Sequence, residues 1–172
     1  MNIIYEKFIK DDECDFDDLL KKGFDFFDIE LAYFSYLNYL SKNNKSDKIL
    51  KFKQMRRDYE FKENVRKIYY EKCIISGADM DECSICHIKP FCDSDDNEKY
   101  DYNNGIILSD SFHKLYDKYY FTIHPETFEI IISKHIKYKN LCINKYENVI
   151  INVIKTSKKY LEHHYKIFCE EI

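Results

Sequence analysis

The chain has 172 residues, is 45% hydrophobic and carries a net charge of −4. That is enough apolar material for one domain with length left for an accessory segment, and the short, charge-broken apolar runs leave no stretch for a membrane-spanning helix. Its start turns acidic by the second turn and lacks the basic, apolar, small-residue order of a secretion signal, so an intracellular chain is expected, in cytoplasm, nucleus or a viral equivalent.

Apolar and aromatic residues recur at helical spacing over 14–41: Phe16, Leu19, Leu20, Phe24, Phe27, Leu31, Phe34, Leu37 and Leu40. Gly23 is placed to break that helix in two. The stripe reads as core or as a partner-facing surface; a homodimer is one use of it that nothing in the sequence requires. The polar stretch "SKNNKSDK" at 41–48 is the best boundary. A second helix is expected over 49–72, with Leu50, Met55, Tyr59, Val65, Ile68 and Tyr69 inward. It carries all three arginines, Arg56, Arg57 and Arg66. From 73 to 117 the pattern changes to strand, loop, strand, helix. "CIIS" and "SICHI" read as strands, "DSDDNEKYDYNN" as a polar loop, "GIIL" as a strand, and "SDSFHKLYD" as a helix capped by Ser109 or Asp110. "YYFTI" and "FEIIIS" around "HPET" signal a hairpin. Residues 145–169 read as a final amphipathic helix.

Charge is unevenly placed. Residues 51–72 hold 8 basic and 4 acidic groups, residues 73–117 hold 3 and 10, and residues 118–172 hold 9 and 6. An acidic segment between basic flanks suits a metal near phosphates, though solvated helix faces would look the same. Seven cysteines in an intracellular chain argue against a disulfide framework. Cys14, Cys142 and Cys169 sit in apolar surroundings and read as core.

Four residues in 83–117 suggest chemistry. His87 lies on one strand, Asn104 precedes the next, and His113 and Asp117 are four apart on one helix face. Two metal-capable side chains, a further imidazole and an amide to orient it would make a hydrolytic site. His87 alone would read as a core histidine. His124 and His135 read as structural or exposed, and His163 and His164 as surface.

The ordered set resembles the HNH nucleases. It comprises Phe61, Tyr69, Cys73 with Ser76-Gly77, "HIKP" from His87, "NGIIL" from Asn104 and "HKLYD" from His113 to Asp117. The resemblance spans roughly 57–123. It implies an α+β chain with a ββα-metal core, N-terminal helices, a hairpin after the core helix and a C-terminal helix. It also implies metal-dependent hydrolysis of phosphodiester bonds, most readily in double-stranded DNA. His87 would be the general base, Asn104 its orienting residue, His113 a metal ligand, and Asp117 a second ligand or its partner. One divalent ion is implied, Mg²⁺ first, with Mn²⁺, Zn²⁺ or Ni²⁺ as alternatives. Arg56, Arg57, Arg66, Lys67, Lys89 and Lys114 are the expected contacts to nucleic acid.

One position departs from the pattern. Cys86 precedes the base histidine, and a soft thiolate ligates zinc better than magnesium. Cys86 therefore either stays out of the metal shell or changes the metal. A rival reading uses Cys73, Cys83, Cys86 and Cys92 as a structural zinc site in a non-catalytic nucleic-acid- or protein-binding module. The expected organisation is an accessory segment over 1–48, a nuclease core over 49–135, and a C-terminal helical segment over 136–172.

Overall fold

A computed structural model describes residues 3–10, 15–136, 141–154 and 157–170. The chain divides into two compact units, Met1–Glu60 and Phe61–Ile172. The division falls inside a helix, and the polar loop at 41–48 lies within the first unit. Among the described residues no helix is long and apolar enough to cross a membrane. Cys14 lies outside the described residues.

The first unit is helical: α1 (Ile3–Lys10), α2 (Phe16–Lys21), α3 (Phe26–Lys42) and the first turns of α4 (Ser46–Ile68). The Asp15 carboxylate accepts the Asp18 amide at 2.7 Å, and that of Asp25 accepts the Phe27 amide at 2.8 Å. Each aspartate satisfies an orphan N–H at a helix start, and the chain makes two helices with Gly23, at φ +83°, between them, as its position suggested. The restart at Asp25 resets the phase. Ile29, Ala32, Tyr33, Tyr36 and Leu40 turn inward, and Phe8 and Phe52 pack edge to face among them. Phe27, Leu31 and Phe34, expected on the same inward stripe, are 71%, 54% and 62% exposed. Leu50, also expected inward, is exposed.

The second unit is built on β1 (Cys83–His87) and β2 (Gly105–Ser109), followed at once by α5 (Asp110–Tyr116). The strands are antiparallel, with His87 opposite Gly105 and Cys83 opposite Ser109. Ile106, Ile107 and Leu108 are fully buried, as a strand covered on both faces requires. A hairpin of β3 (Phe121–Ile123) and β4 (Ile130–Ile132) follows, then α6 (Lys158–Glu170). The architecture is α+β with a ββα core.

Two expected elements differ. "CIIS" is a turn, closed by Cys73 N–H to the Ala78 carbonyl and Gly77 N–H to that of Cys73, both at 2.9 Å. Gly77 there has φ +73°, a left-handed conformation that a Cβ would penalise. The final helix begins only at Lys158. Before it, Asn148 N–H bonds the Ile130 carbonyl and Ile151 N–H that of Phe128. The β-branched run Val149-Ile150-Ile151 favours that extended pairing over a helix. Cys142 and Cys169, expected in the core, are exposed.

Candidate active site

The strand pair and α5 converge on a cleft of about 430 Å³. Its lining includes Cys86, His87, Phe91, His113, Asp117 and His164. The strand end delivers His87, and one turn of α5 delivers His113 and Asp117 on a shared face. His113 Nε2 lies 3.3 Å from Asp117 Oδ2. A direct hydrogen bond between the strand and helix termini links the two sides, from Ser84 Oγ to Asp110 Oδ1.

The His87 ring is held by its surroundings. Its Nε2 lies 2.8 Å from the Lys99 carbonyl oxygen. A carbonyl only accepts, so Nε2 carries the proton and the neutral ring has its lone pair on Nδ1. The Phe61 ring stacks on the imidazole at 4.6 Å and 8°, and Phe91 meets it edge-on at 5.5 Å.

Asn104 fixes the loop that holds His87. Its side chain is fully buried. Oδ1 accepts the Lys89 amide at 2.8 Å, and Nδ2 reaches the Lys89 carbonyl, the Glu98 carbonyl and Ser94 Oγ at 3.2–3.3 Å. The Glu98 contact lies one residue before the carbonyl that holds His87. One amide thus joins both ends of the loop between β1 and β2. Lys89 serves the same loop: its ammonium contacts Glu98 and holds that carboxyl below the usual range. Lys89 was expected to face nucleic acid, and its 17% side-chain exposure leaves little of it for that.

The other basic candidates separate. Arg56 pairs with Glu30 and Glu60 at 2.5 and 2.8 Å within the first unit, beneath the rings of Phe16 and Phe26. Arg66 pairs with Glu63 at 2.8 Å, beside an open cleft shared with Lys67 and Tyr70. Lys114 is exposed on α5.

Among the described residues no three His, Cys, Asp or Glu side chains come together to hold a metal. The four cysteines of the zinc reading therefore do not converge. Cys73 Sγ instead accepts the Ser76 and Ser109 amides at 3.4 Å, Cys83 donates to the Ala78 carbonyl, and Cys92 bonds Asp93. Cys86 lines the cleft but is only 1% exposed, and its thiol donates to the Ser84 carbonyl. Burial, and then the Asp117 charge, push its pKa well up, so it stays a thiol. His113 and Asp117 are the adjacent metal-capable pair lining the cleft. An imidazole suits zinc, iron or nickel and a carboxylate suits magnesium or manganese, so the pair fits more than one divalent ion.

The HNH endonuclease family model matches residues 73–124. This segment is an HNH domain. The HNH domain runs from the Cys73 turn through both strands and α5 into the hairpin, so it contains His87, Asn104, His113 and Asp117, while Phe61 and α6 lie outside it. Comparison with curated proteins gives no match.

Sequence reasoning missed His164, expected at the surface. It is 2% exposed and stacks on Tyr116 at 3.8 Å. Its Nε2 meets the Tyr116 carbonyl at 3.3 Å and its Nδ1 meets Thr122 Oγ1 at 2.9 Å. The burial of Tyr160, Leu161 and Phe168 on the same helix was the available signal, since 160, 161, 164 and 168 share one face. Burial pulls the His164 pKa down to about 3, the Tyr116 carbonyl opposing it. The folded state resists a proton that the unfolded chain takes up near pH 6.5, so stability is full above that pH and falls between pH 6.5 and 3. The expected slope from this group is about 1.4 kcal/mol per pH unit, and denaturation of His164→Gln across that range should lack it. An unchanged slope would assign the acid sensitivity elsewhere.

Proposed function

We propose that this chain is a metal-dependent endonuclease that hydrolyses phosphodiester bonds, with double-stranded DNA as its substrate and His87 as its general base. The observation that carries the reading is the Lys99 carbonyl on His87 Nε2, which leaves the neutral ring's lone pair on Nδ1, in a residue that lines the same cleft as His113 and Asp117. His87 takes the proton of the attacking water at Nδ1. The resulting imidazolium keeps its Nε2–H on the carbonyl, and that bond strengthens as the ring gains charge. Asn104 acts at one remove, by holding the loop that carries the carbonyl. His113 and Asp117 would hold a divalent ion, Mg²⁺ first, which would supply charge stabilisation to the phosphodiester under attack when bound. Buried Cys86 remains outside that donor set. Lys67 and Lys114, both exposed, are the basic groups that best fit backbone contacts, and their use makes affinity fall with salt.

The test is cleavage of supercoiled plasmid in Mg²⁺, Mn²⁺, Zn²⁺ or Ni²⁺, with a chelator control and a His113→Ala variant. Nicking or linearisation that needs Mg²⁺ or Mn²⁺ and is lost on chelation is expected. In His113→Ala the metal concentration for half-maximal rate should rise at least about tenfold. A folded wild-type protein inert with every metal would favour a non-catalytic binding module.

A further inference from the structure

We propose that Phe61, on α4 and outside the matched HNH segment, is the positioning residue that sets the plane of the His87 imidazole. The inference rests on the nuclease reading for its kinetic consequences, but its geometry stands without it. A hydrogen bond from Nε2 to the Lys99 carbonyl fixes one ring atom. A swing about the line from Cβ to Nε2 would carry Nδ1 away from a bound water. A flat contact against the ring face opposes that swing. Phe61 provides it: the two rings are 8° from parallel with centroids 4.6 Å apart. Phe61 is itself 3% exposed, packed with fully buried Val65 one turn on, so it is a fixed shelf. Phe91 closes on the imidazole edge-on but is 49% exposed and less constrained.

The strand opposite shows why the shelf can come so close. Gly105 pairs with His87 across the ladder. A Cβ at Gly105 would stand 2.3 Å from Val65 Cγ2 and 3.0 Å from Phe61 Cζ. The missing side chain is the space into which α4 lowers Phe61. The aromatic face has a second use. When His87 gains a proton, the imidazolium lies over a π-face, an arrangement that favours the cation and that an aliphatic side chain does not provide.

The test compares Phe61→Leu with Phe61→Tyr in the full chain. Leucine keeps an apolar side chain in the site and discards the flat face; tyrosine keeps the face. Phe61→Leu should lower kcat for plasmid cleavage by about 10- to 100-fold with KM within about twofold, as a small misplacement of a reacting group does. Phe61→Tyr should stay within about threefold of wild type. In ¹⁵N spectra, His87 should show one Nε2–H tautomer in wild type and Phe61→Tyr, and exchange-broadened or mixed-tautomer signals in Phe61→Leu. Equal kcat for Leu and wild type, or equal losses for Leu and Tyr, would overturn the proposal. If wild type cleaves nothing, the nuclease reading fails, and the spectra still decide the positioning: unchanged His87 signals in Phe61→Leu overturn it. Should Phe61→Leu not fold, Phe61→Met carries the same comparison.

Discussion

Replacing His87 with alanine is expected to lower kcat for plasmid cleavage by about 10³-fold, with KM and melting temperature close to wild type. The expected size is that of a positioned base, and the other histidines of the cleft are otherwise engaged. His164 has one nitrogen on Thr122 and the other on the Tyr116 carbonyl, and burial holds it neutral down to about pH 3. Cys86 is buried and kept a thiol. His113 is paired with Asp117 at 3.3 Å, and the two are the proposed ligands. The variant should still bind duplex DNA with the wild-type salt dependence, because the groups proposed to hold the backbone lie elsewhere. Residual activity above about one tenth of wild type would mean that another group takes the proton, and would remove the argument from Nε2. Loss of binding together with loss of cleavage would point to a damaged fold instead.

The core of the site was legible because its determinants are local. "SICHI" and "GIIL" became β1 and β2 within a residue or two, and "SDSFHKLYD" became α5. A tight register and a helix that starts at the last strand residue leave little room for error, so His87, His113 and Asp117 could be placed together in advance. Other features depend on packing that the local pattern does not carry. The phase of α3 is set by the Asp25 cap, which turned Phe27, Leu31 and Phe34 outward. The inward turn of His164 depends on partners 42 and 48 positions away. Lys89 and Arg56 looked like phosphate contacts because basic residues invite that reading, yet Glu98 takes the first, and Glu30 and Glu60 the second. Asn104 was read as an orienting residue for His87, and the geometry gives that expectation a longer path, through the loop and the Lys99 carbonyl.

Gly105→Ala is the substitution expected to harm the fold and the site together. Gly105 has φ −115° and ψ 143°, extended backbone that alanine adopts freely, so no conformational strain enters. The whole effect is steric. A Cβ 2.3 Å from Val65 Cγ2 cannot be accommodated without movement, and Val65 has no flexible end to move aside. Overpacking of this kind costs about 1–3 kcal/mol. The same push lifts Phe61 off His87, so kcat should fall as well. Val65→Ala alone opens a small cavity and costs about 1–3 kcal/mol. If the clash is the cause, the double variant Gly105→Ala/Val65→Ala must be less destabilised than the two singles summed, by about 1 kcal/mol or more in chemical denaturation. It should also recover part of the kcat lost in Gly105→Ala, since removing the Val65 methyl groups lets α4 settle back over the strand. Strict additivity in stability would show that Gly105 is not the point where helix and strand meet most closely. Recovery of stability without any recovery of kcat would separate the packing of α4 from the alignment of His87, and the shelf would then have to be sought in Phe91.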